Sequence, residues 1–473
     1  MNAAACTVWE NEVPSLVLGW PRGEAVAHLV LRVRPGAGGE ALLALRRLVD
    51  AEVLKPSFGP DAPPPKRYQV SFGFTWRGLQ ALGVPRPYLR TFARLAPAFA
   101  AGAPLRAQRL GDSGASSPAR WASGFGLHEA HVLLSVHGPE LEVRELGEAL
   151  VICWGENGVL ARVDQRFGRR LGAPPGESGE WVHFGYRDGI TDHRIEGVTR
   201  HGAPAPVERV HRAGEFILGH PNDADGNRFA LPDASDKVRS FFHHGSFAAY
   251  RPMSQDVGAF EDFVANSARQ APPKAASGAA WVKAKLCGRW PGGEALHPGQ
   301  LQPVRGDFAL DFAADPNGEG CPFASHVRRM RPVGIDAHAR ERPLIRRSMP
   351  YGPAAWAREE GAPVDRPKRG LLGLFFCASL EDQFEHLLGQ WANRRPLGSP
   401  DRSRAKDPLM GAHEDEHAAM ILPAAGAAPL VLSGFRAWTR TLGTLYAWYP
   451  GKTGLDRLLQ SDYTRPEDEG PWL

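Results

Sequence analysis

Apolar residues follow one local pattern at several places along the chain: a short alternating run, a turn, and then apolar residues at helical spacing. The stretch from Ala27 to Val53 (AHLVLRVRPGAGGEALLALRRLVDAEV) shows the pattern first. Alternation places every second side chain on one face of a strand, whereas a spacing of three to four residues places side chains on one face of a helix. The stretch therefore predicts a strand that leads into an amphipathic helix.

This pattern returns twice more in the first 150 residues and twice in the second half of the chain. The further stretches are Tyr68 to Leu82, Glu129 to Leu150, Gly245 to Asn266 and Arg369 to Asn393. Strands that alternate with helices in this way favour an α+β layer with helices packed on a sheet. The recurrence suggests a structural duplication, without a residue-by-residue repeat, whose halves meet near Phe229 to Val238.

Composition narrows the class of protein. The chain has 473 residues, of which 43% are hydrophobic, so it can bury a large core and is not compositionally disordered. A prior of roughly 150 residues per domain gives about three domains, or two with long loops. The 56 Lys+Arg nearly balance the 52 Asp+Glu, and a net charge of +4 argues against a nucleic-acid partner.

Cysteine spacing and hydropathy indicate the compartment. The five cysteines form no CxxC pair, which argues against a disulfide framework and against a thiolate zinc site. The first thirty residues have no basic segment before an apolar stretch, as a secretory signal would, and no segment reaches the roughly 20 apolar residues of a membrane helix. We therefore expect a soluble cytoplasmic protein that is not associated with a membrane.

Three local motifs carry candidate chemistry. In HFGYRDGITDHRIEG, Asp188 stands between glycines and among aromatic residues, which is compatible with an ordinary turn or with a proton-exchanging carboxylate. In GCPFASHVRRMRP, His326 is followed by three arginines, and PLIRRSMPYG adds Arg346 and Arg347. Guanidinium groups beside a histidine suit a ligand that bears carboxylates or phosphates, although an exposed basic surface has the same pattern.

A competing metal motif is HEDEH, in which His413, Glu414 and His417 match the HExxH pattern of zinc hydrolases. That pattern requires a stable helix, and Gly411 and Pro423 leave only about ten residues for one. The alternative interpretation is a charged exposed loop. A zinc metallohydrolase is therefore the least favoured of the functions considered.

Taken together, the blocks resemble the family of dye-decolourising haem peroxidases over most of the chain. The family's GxxDG signature is matched by Gly185 to Gly189, and other blocks follow in the family's order: GEFILGHPNDADGN, GSFAAYRPMSQDVGAFEDFV, LCGRWPGG, CPFASHVRR, RRSMPYG and GLLGLFFCASLEDQFEHLLGQWAN. The sequence departs from the family pattern after the signature, at Asp192 and His193, and after the histidine block, at Arg331 to Val333.

The resemblance implies an α+β fold of two ferredoxin-like halves, each an antiparallel sheet with helices, and haem held mainly by the C-terminal half. We expect an N-terminal extension over residues 1–20, an N-terminal half over 21–232 with the signature, a C-terminal half over 233–460 with the histidine, and a tail over 461–473.

The resemblance also assigns roles to residues around haem b. His326 is the expected axial ligand of the iron, Asp188 moves a proton on the distal face, and Arg346 supplies positive charge there, with Arg347 as the second choice. The other residues expected to bind the cofactor are Gly185 and Gly189 of the signature, Arg328 as a propionate partner, and Glu381 as the acceptor of the second N–H of the histidine.

The leading hypothesis is thus a peroxidase that reduces hydrogen peroxide and oxidises organic donors such as dyes or phenols. A haem carrier or sensor with little turnover is the alternative on the same fold. The sequence leaves open whether the chain forms a homo-oligomer.

Overall fold

The computed structural model describes residues 8–19, 23–59, 68–154, 158–198, 205–275, 277–332, 341–356, 368–394, 405–413, 418–424, 426 and 428–463. Within these ranges the strands are β1 (Ala25–Val33), β2 (Gln69–Phe74), β3 (Val132–Gly138), β4 (Leu160–Arg169), β5 (Trp181–Val182), β6 (Tyr186–Arg187), β7 (Thr191–Ile195), β8 (Val207–His211), β9 (Ser246–Gln255), β10 (Ile345–Arg346), β11 (Met349–Tyr351), β12 (Gly370–Cys377), β13 (Ala418–Leu422), β14 (Leu430–Phe435), β15 (Thr439–Thr441) and β16 (Leu445–Tyr449).

The α-helices of the described ranges are α1 (Ser15–Leu18), α2 (Gly38–Asp50), α3 (Trp76–Ala81), α4 (Arg86–Leu95), α5 (Pro97–Ala101), α6 (Ala103–Leu110), α7 (Glu140–Trp154), α8 (Asp236–Phe242), α9 (Val257–Ser267), α10 (Gly278–Cys287), α11 (His326–Met330) and α12 (Lys452–Gln460). Two π-helical segments, Leu380–Glu385 and Leu387–Ala392, follow β12, and 3-10 turns occupy Val8–Glu12, Gly114–Ser116, Pro118–Arg120, Ala213–Glu215 and Ala268–Gln270.

The strand–helix units predicted from the sequence are present. β1 leads to α2, β2 to α3, β3 to α7 and β9 to α9, and each unit overlaps the stretch that carried the pattern to within four residues at either end. The fifth unit differs in detail, because β12 is followed by the two π-helical segments rather than by an α-helix. Asp256 directly follows β9 and caps α9 by accepting from the amide of Ala259, which explains the abrupt change from strand to helix.

The main sheet joins strands from both halves of the chain. Its order is β10-β12-β9-β16-β2-β3-β1-β4, with β11 also paired to β12 and β15 to β9, and every pairing in it is antiparallel. The first half supplies β4, β1, β3 and β2, and the second half supplies the rest. The two groups meet where Phe74 of β2 pairs with Trp448 of β16. The predicted α+β fold is therefore confirmed, while the exact domain boundaries stay predictions.

The sheet curls until strands near its two edges approach each other. A Cβ added to Gly168 of β4 would lie 3.0 Å from the carbonyl oxygen of Pro350 in β11 and 3.0 Å from Cδ1 of Leu372 in β12. A side chain at this position would hold the edges apart, so the glycine permits the close approach. The inner face of the sheet is thereby enclosed by the sheet itself.

Both faces of the sheet are covered, which explains why β1 reads as a nearly continuous apolar run. Ala27, Leu29 and Leu31 of β1 belong to the outer core with the helices. Val26 and Val30 belong to the inner core with residues of β9, β12 and β16. A third apolar cluster joins α9 and α10 to Phe184, Cys321 and other residues around the functional motifs.

No helix in the described part of the chain is both long enough and apolar enough to cross a lipid bilayer.

Candidate functional site

His326 is the first residue of the short helix α11, directly after a buried stretch that ends at Ser325. The hydroxyl of Ser325 donates to the carbonyl oxygen of Lys285 in α10 at 2.6 Å, which fixes the start of α11 on the neighbouring helix. A quarter of the His326 side chain (25%) remains exposed. The packed N-terminus of α11 therefore fixes the backbone of His326, and part of its imidazole remains accessible.

Asp407 orients the imidazole of His326. Its Oδ2 lies 2.7 Å from Nδ1 of His326, although 81 residues separate the two in sequence. Burial raises the pKa of Asp407, but its interactions with His326, Arg329 and the amide of Leu409 lower it more, so its net pKa lies below the usual range. An ionised Asp407 can only accept, so Nδ1 carries the proton and Nε2 presents its lone pair. Nε2 has no hydrogen-bond partner among the described residues.

A tight loop holds Asp407 in place. Its Oδ1 accepts from the backbone amides of Leu409 at 2.9 Å and Met410 at 3.0 Å, and its own amide donates to the carbonyl oxygen of Ala392. Nε2 of His413 lies 2.8 Å from the carbonyl oxygen of Asp407. Both carboxylate oxygens are therefore committed, one to the loop and one to His326.

The described part of this loop gives no support to a zinc site at the HEDEH motif. His413 is buried and its Nε2 bonds to a backbone carbonyl, so it supports the Asp407 loop. Glu414 and His417 lie outside the described residues. Within the described ranges, no cluster of three or more His, Cys, Asp or Glu side chains could hold a metal ion.

Glu381 was the wrong choice for the acceptor of the histidine N–H. Its Oε1 instead accepts from the amide of Ala98, in the first turn of α5, at 2.5 Å. Glu381 therefore joins the start of the first π-helical segment to a helix of the N-terminal half. The carboxylate that binds Nδ1 of His326 is that of Asp407. In the sequence, Asp407 lies in the segment DPLMGA directly before the HEDEH motif, and sequence reasoning did not single it out.

Arg328 does not fit the expected role of a propionate partner. Its side chain is 1% exposed and pairs with Asp315, with Nη1 3.0 Å from Oδ2. The same guanidinium donates to the carbonyl oxygens of Cys321 and Asp315. Asp315 also accepts from the amides of Glu319, Gly320 and Cys321. The pair therefore fixes the loop that leads into His326.

The signature containing Asp188 forms a small hairpin. Trp181 pairs with Arg187 and Val182 with Tyr186, and Gly185 takes the turn with a φ of 76° that disfavours other residues. Gly189 follows with a φ of 73°, and its amide donates to Oδ1 of Asp188 at 2.8 Å. The carboxylate of Asp188 is partly exposed at the end of this hairpin.

Strand pairing separates the two adjacent arginines. The Arg346 side chain is exposed, and its Nη2 donates to the carbonyl oxygen of Thr191 at 3.0 Å, three residues after Asp188. Arg347 points the opposite way and is buried, with Nε donating to the carbonyl oxygen of Leu16 at 2.7 Å. Burial lowers the pKa of Arg347 to about 10. Arg347 therefore anchors the N-terminal segment, and Arg346 is the arginine free to meet a ligand.

The segment Leu286 to Gly293 (LCGRWPGG) connects the motifs. A Cβ on Gly288 would lie 3.3 Å from the Cβ atoms of Ser325 and Val327, which flank His326. The carbonyl oxygen of Pro291 accepts from the amide of Arg187 at 2.8 Å, next to Asp188. This segment therefore contacts the residues beside His326 at one end and the hairpin with Asp188 at the other.

Sequence reasoning did not single out Arg289, which lies inside this connecting segment. Its Nη1 donates to the carbonyl oxygens of Gly293 and Phe308, but its buried Nη2 has no hydrogen-bond partner in the described part of the chain. Burial lowers the pKa of Arg289, and the charge of Arg346 lowers it further. A buried guanidinium N–H without a partner suits an anionic ligand group.

The site therefore combines a histidine with one free nitrogen, a carboxylate, and two arginines. Arg289 is close enough to Arg346 for their charges to interact, and it is adjacent to Gly288, which contacts the neighbours of His326. This arrangement can ligate a metal centre, neutralise anionic groups and exchange a proton.

Comparison with known proteins gives a consistent relationship. No family model matches the chain. A dye-decolorizing peroxidase of Mycena epipterygia is 28% identical over 368 residues, which covers 72% of this chain and 64% of that protein. The multifunctional dye peroxidase DyP2 of Amycolatopsis sp. is 28% identical over 379 residues, covering 72% of this chain and 71% of that protein. The matched region spans just under two thirds of the fungal relative.

Solved structures share the whole fold. A fungal DyP-type peroxidase from Auricularia auricula-judae aligns with a TM-score of 0.74 at 20% identity, over 96% of this chain and 100% of that chain. A dye-decolorizing peroxidase in complex with 2,6-dimethoxyphenol aligns with a TM-score of 0.72 at 20% identity, over 95% and 98% of the two chains. In sequence this chain is thus similar to dye-decolorizing peroxidases, and it shares the fold of solved members of that group.

Proposed function

We propose that the protein is a haem-dependent peroxidase that reduces hydrogen peroxide and oxidises an organic electron donor. The observation that carries this proposal is the imidazole of His326, whose Nδ1 is bound to the buried carboxylate of Asp407 at 2.7 Å while Nε2 stays free. A hydrogen-bonded carboxylate fixes the tautomer and raises the basicity of an axial histidine. Among the described histidines, His326 is the one for which the family resemblance and this geometry coincide.

The surrounding residues fit haem b. The cofactor has an iron that takes an imidazole ligand and propionates that take cationic partners. His326 would supply the first, and the unpartnered Nη2 of Arg289 would supply a donor for the second in place of Arg328. When bound, haem supplies the redox chemistry by which peroxide is reduced to water.

The distal residues would act on the peroxide. Asp188, partly exposed at the end of its hairpin, would accept a proton from one peroxide oxygen and return it to the other. The exposed guanidinium of Arg346 would stabilise negative charge that develops as the O–O bond breaks. Gly185 and Gly189 would let the hairpin backbone approach the cofactor closely, since neither adds a side chain.

Phenols and dyes are the donors we propose. One of the structural relatives is a complex with 2,6-dimethoxyphenol, and the curated relatives are named for dye oxidation. We also propose a cytoplasmic location for the protein.

Reconstitution with hemin tests the proposal. The purified chain should show a Soret band that is absent or displaced in His326→Ala and that shifts when peroxide is added, with oxidation of 2,6-dimethoxyphenol. A stable Soret band with no response to peroxide would favour a haem carrier. Failure of the wild-type chain to bind hemin would refute the proposal.

A further inference from the structure

A chain of three side chains leads from the protein surface toward Arg346. Nδ1 of His211 lies 3.1 Å from Oδ2 of Asp223, and Nε2 of His211 lies 3.0 Å from Nδ1 of His193. β7 and β8 are parallel neighbours, in which His193 pairs with Arg209 and Ile195 with His211. Side chains two residues apart on a strand share a face, so the two histidines lie on the same side of this small sheet.

The outer end of the chain is fixed and reaches solvent. Asp223 has 37% of its side chain exposed. Its Oδ1 accepts from the amide of Arg212 at 3.0 Å, and its own amide donates to Oε1 of Glu215 at 3.1 Å. The carboxylate therefore has one oxygen held by the backbone and the other on His211.

The inner end lies beside the distal residues. His193 is two residues after Thr191, whose carbonyl oxygen accepts from Nη2 of Arg346. Burial lowers the pKa of His193 to about 3, and the charges of His211, Arg346, Arg209 and Arg347 contribute in the same direction. Both rings also pack against Phe216, with centroid distances of 6.3 Å for His193 and 5.9 Å for His211.

Glu341 is a further charged group close to His211. Its Oε2 lies 3.6 Å from Nε2 of His211, beyond hydrogen-bond distance. Glu341 forms ion pairs with Arg209 and with Arg331, whose Nε is 3.3 Å from Oε1. Its charge is therefore balanced by arginines, and His193 is the hydrogen-bond partner of His211 on this side.

These contacts fix the direction of the hydrogen bonds. An ionised Asp223 can only accept, so Nδ1 of His211 donates to it. Nε2 of His211 then accepts from Nδ1 of His193. Nε2 of His193 is left with a free lone pair and has no hydrogen-bond partner in the described ranges.

We propose that Asp223, His211 and His193 form a proton relay between solvent and the Arg346 side of the candidate haem site. The relay deepens the proposed peroxidase function and rests on it. Reduction of hydrogen peroxide to two waters takes up two protons and two electrons, and the organic donor supplies the electrons. The relay carries protons only.

Each transfer conserves protons. A proton that arrives at Nε2 of His193 is followed by transfer of the Nδ1 proton of His193 to Nε2 of His211, and of the Nδ1 proton of His211 to Asp223. Each ring gains one N–H bond and loses one, and Asp223 becomes neutral. The reverse sequence returns a proton to the site and leaves Asp223 ionised.

The substitution Asp223→Asn tests the relay without haem. The amide of Arg212 must still find an acceptor, so the new side chain places its oxygen there and its NH₂ toward Nδ1 of His211. His211 must then carry its proton on Nε2, which forces the proton of His193 to Nε2 as well. Nitrogen NMR of histidine-labelled apoprotein should show both tautomers inverted relative to wild type. Asp225→Asn, a change at a 92% exposed carboxylate in the same loop, should alter neither.

The same variants are then loaded with hemin. Asp223→Asn should retain the Soret band. Its peroxide-dependent turnover should fall about tenfold, and the solvent isotope effect on turnover should change. The decrease is smaller than for a direct acid–base catalyst because the relay does not itself contact the reacting oxygen atoms. Asp225→Asn should match wild type. An unchanged His193 tautomer in Asp223→Asn would overturn the coupling, and unchanged turnover would overturn the role. Lack of turnover in wild type would instead count against the peroxidase function, while the apoprotein tautomers would still decide the relay.

Discussion

Nδ1 of His326 lies 2.7 Å from Oδ2 of the fully buried Asp407, and this contact fixes the orientation of the imidazole. The carboxylate is fixed by two backbone amides on its other oxygen. It can therefore hold the ring in one tautomer with Nε2 directed away from the bond.

The first prediction concerns Asp407→Asn. Because the amides of Leu409 and Met410 require an acceptor, the new side chain should keep its oxygen on them and turn its NH₂ toward His326. This would move the imidazole proton to Nε2 and block ligation. We expect hemin affinity to fall about 10- to 100-fold, measured by Soret titration.

Glu381→Gln is the matched control, because the sequence nominated Glu381 for the same role and the structure places it on the amide of Ala98. It should bind hemin as tightly as wild type. Equal affinity of the Asp407→Asn protein would contradict the assignment of Asp407.

The second prediction separates the adjacent arginines. Arg346→Leu should lower peroxide turnover about 10²- to 10³-fold by removing a charge from the distal side, with little change in stability. Arg347→Leu should instead lower the free energy of unfolding by about 2–3 kcal/mol, because buried carbonyl groups such as that of Leu16 lose a charged donor. Stopped-flow peroxide kinetics and urea unfolding distinguish the two. The opposite pattern would assign the distal role to Arg347.

The third prediction concerns acid stability. Burial lowers the pKa of His137, on β3, to about 3, with the charges of Arg347 and Arg170 adding to the effect. The ring stays neutral in the folded state, whereas in the unfolded chain it takes up a proton as the pH falls below about 6.5. Stability is therefore lost as the pH falls from about 6.5 to 3, by about 2 kcal/mol between pH 6.5 and 5 for this residue.

Urea unfolding at pH 7.5 and pH 5 measures the effect. His137→Leu should reduce the difference between the two pH values by about that 2 kcal/mol. The same change at the exposed His128 should leave the difference as in wild type. An unaltered pH dependence in His137→Leu would show that this residue is not responsible.

The fourth prediction tests the loop before His326. Arg328→Met leaves the buried carboxylate of Asp315 without its ion-pair partner, which should cost about 3–5 kcal/mol of folding stability. If Arg328 instead served mainly as a propionate partner, hemin affinity would fall while the thermal stability of the apoprotein stayed unchanged. Differential scanning calorimetry of the apoprotein decides between the two roles.

The strand–helix units could be predicted from the sequence because hydrophobic periodicity depends only on neighbouring residues. Alternation over residues such as Ala27 to Val33 and helical spacing after Gly38 specify a strand and a helix without reference to distant parts of the chain. The ordered motifs likewise indicated the resemblance to dye-decolourising peroxidases and nominated Asp188, His326 and Arg346. These residues lie in short segments whose identity can be read one at a time.

The tertiary structure decided the partners. Asp407 is 81 residues from His326 and Asp315 is 13 residues from Arg328, and which buried carboxylate contacts each of these two side chains depends on how the loops fold back. Arg346 and Arg347 are chemically identical neighbours, and only the pairing of β10 with β12 turns one outward and buries the other. Hydrogen bonds and ion pairs act over a few ångströms in space, and distances in space between residues far apart in the chain are set by the tertiary structure. The sequence therefore identified the candidate reacting groups, whereas the tertiary structure determined which residues each of them contacts.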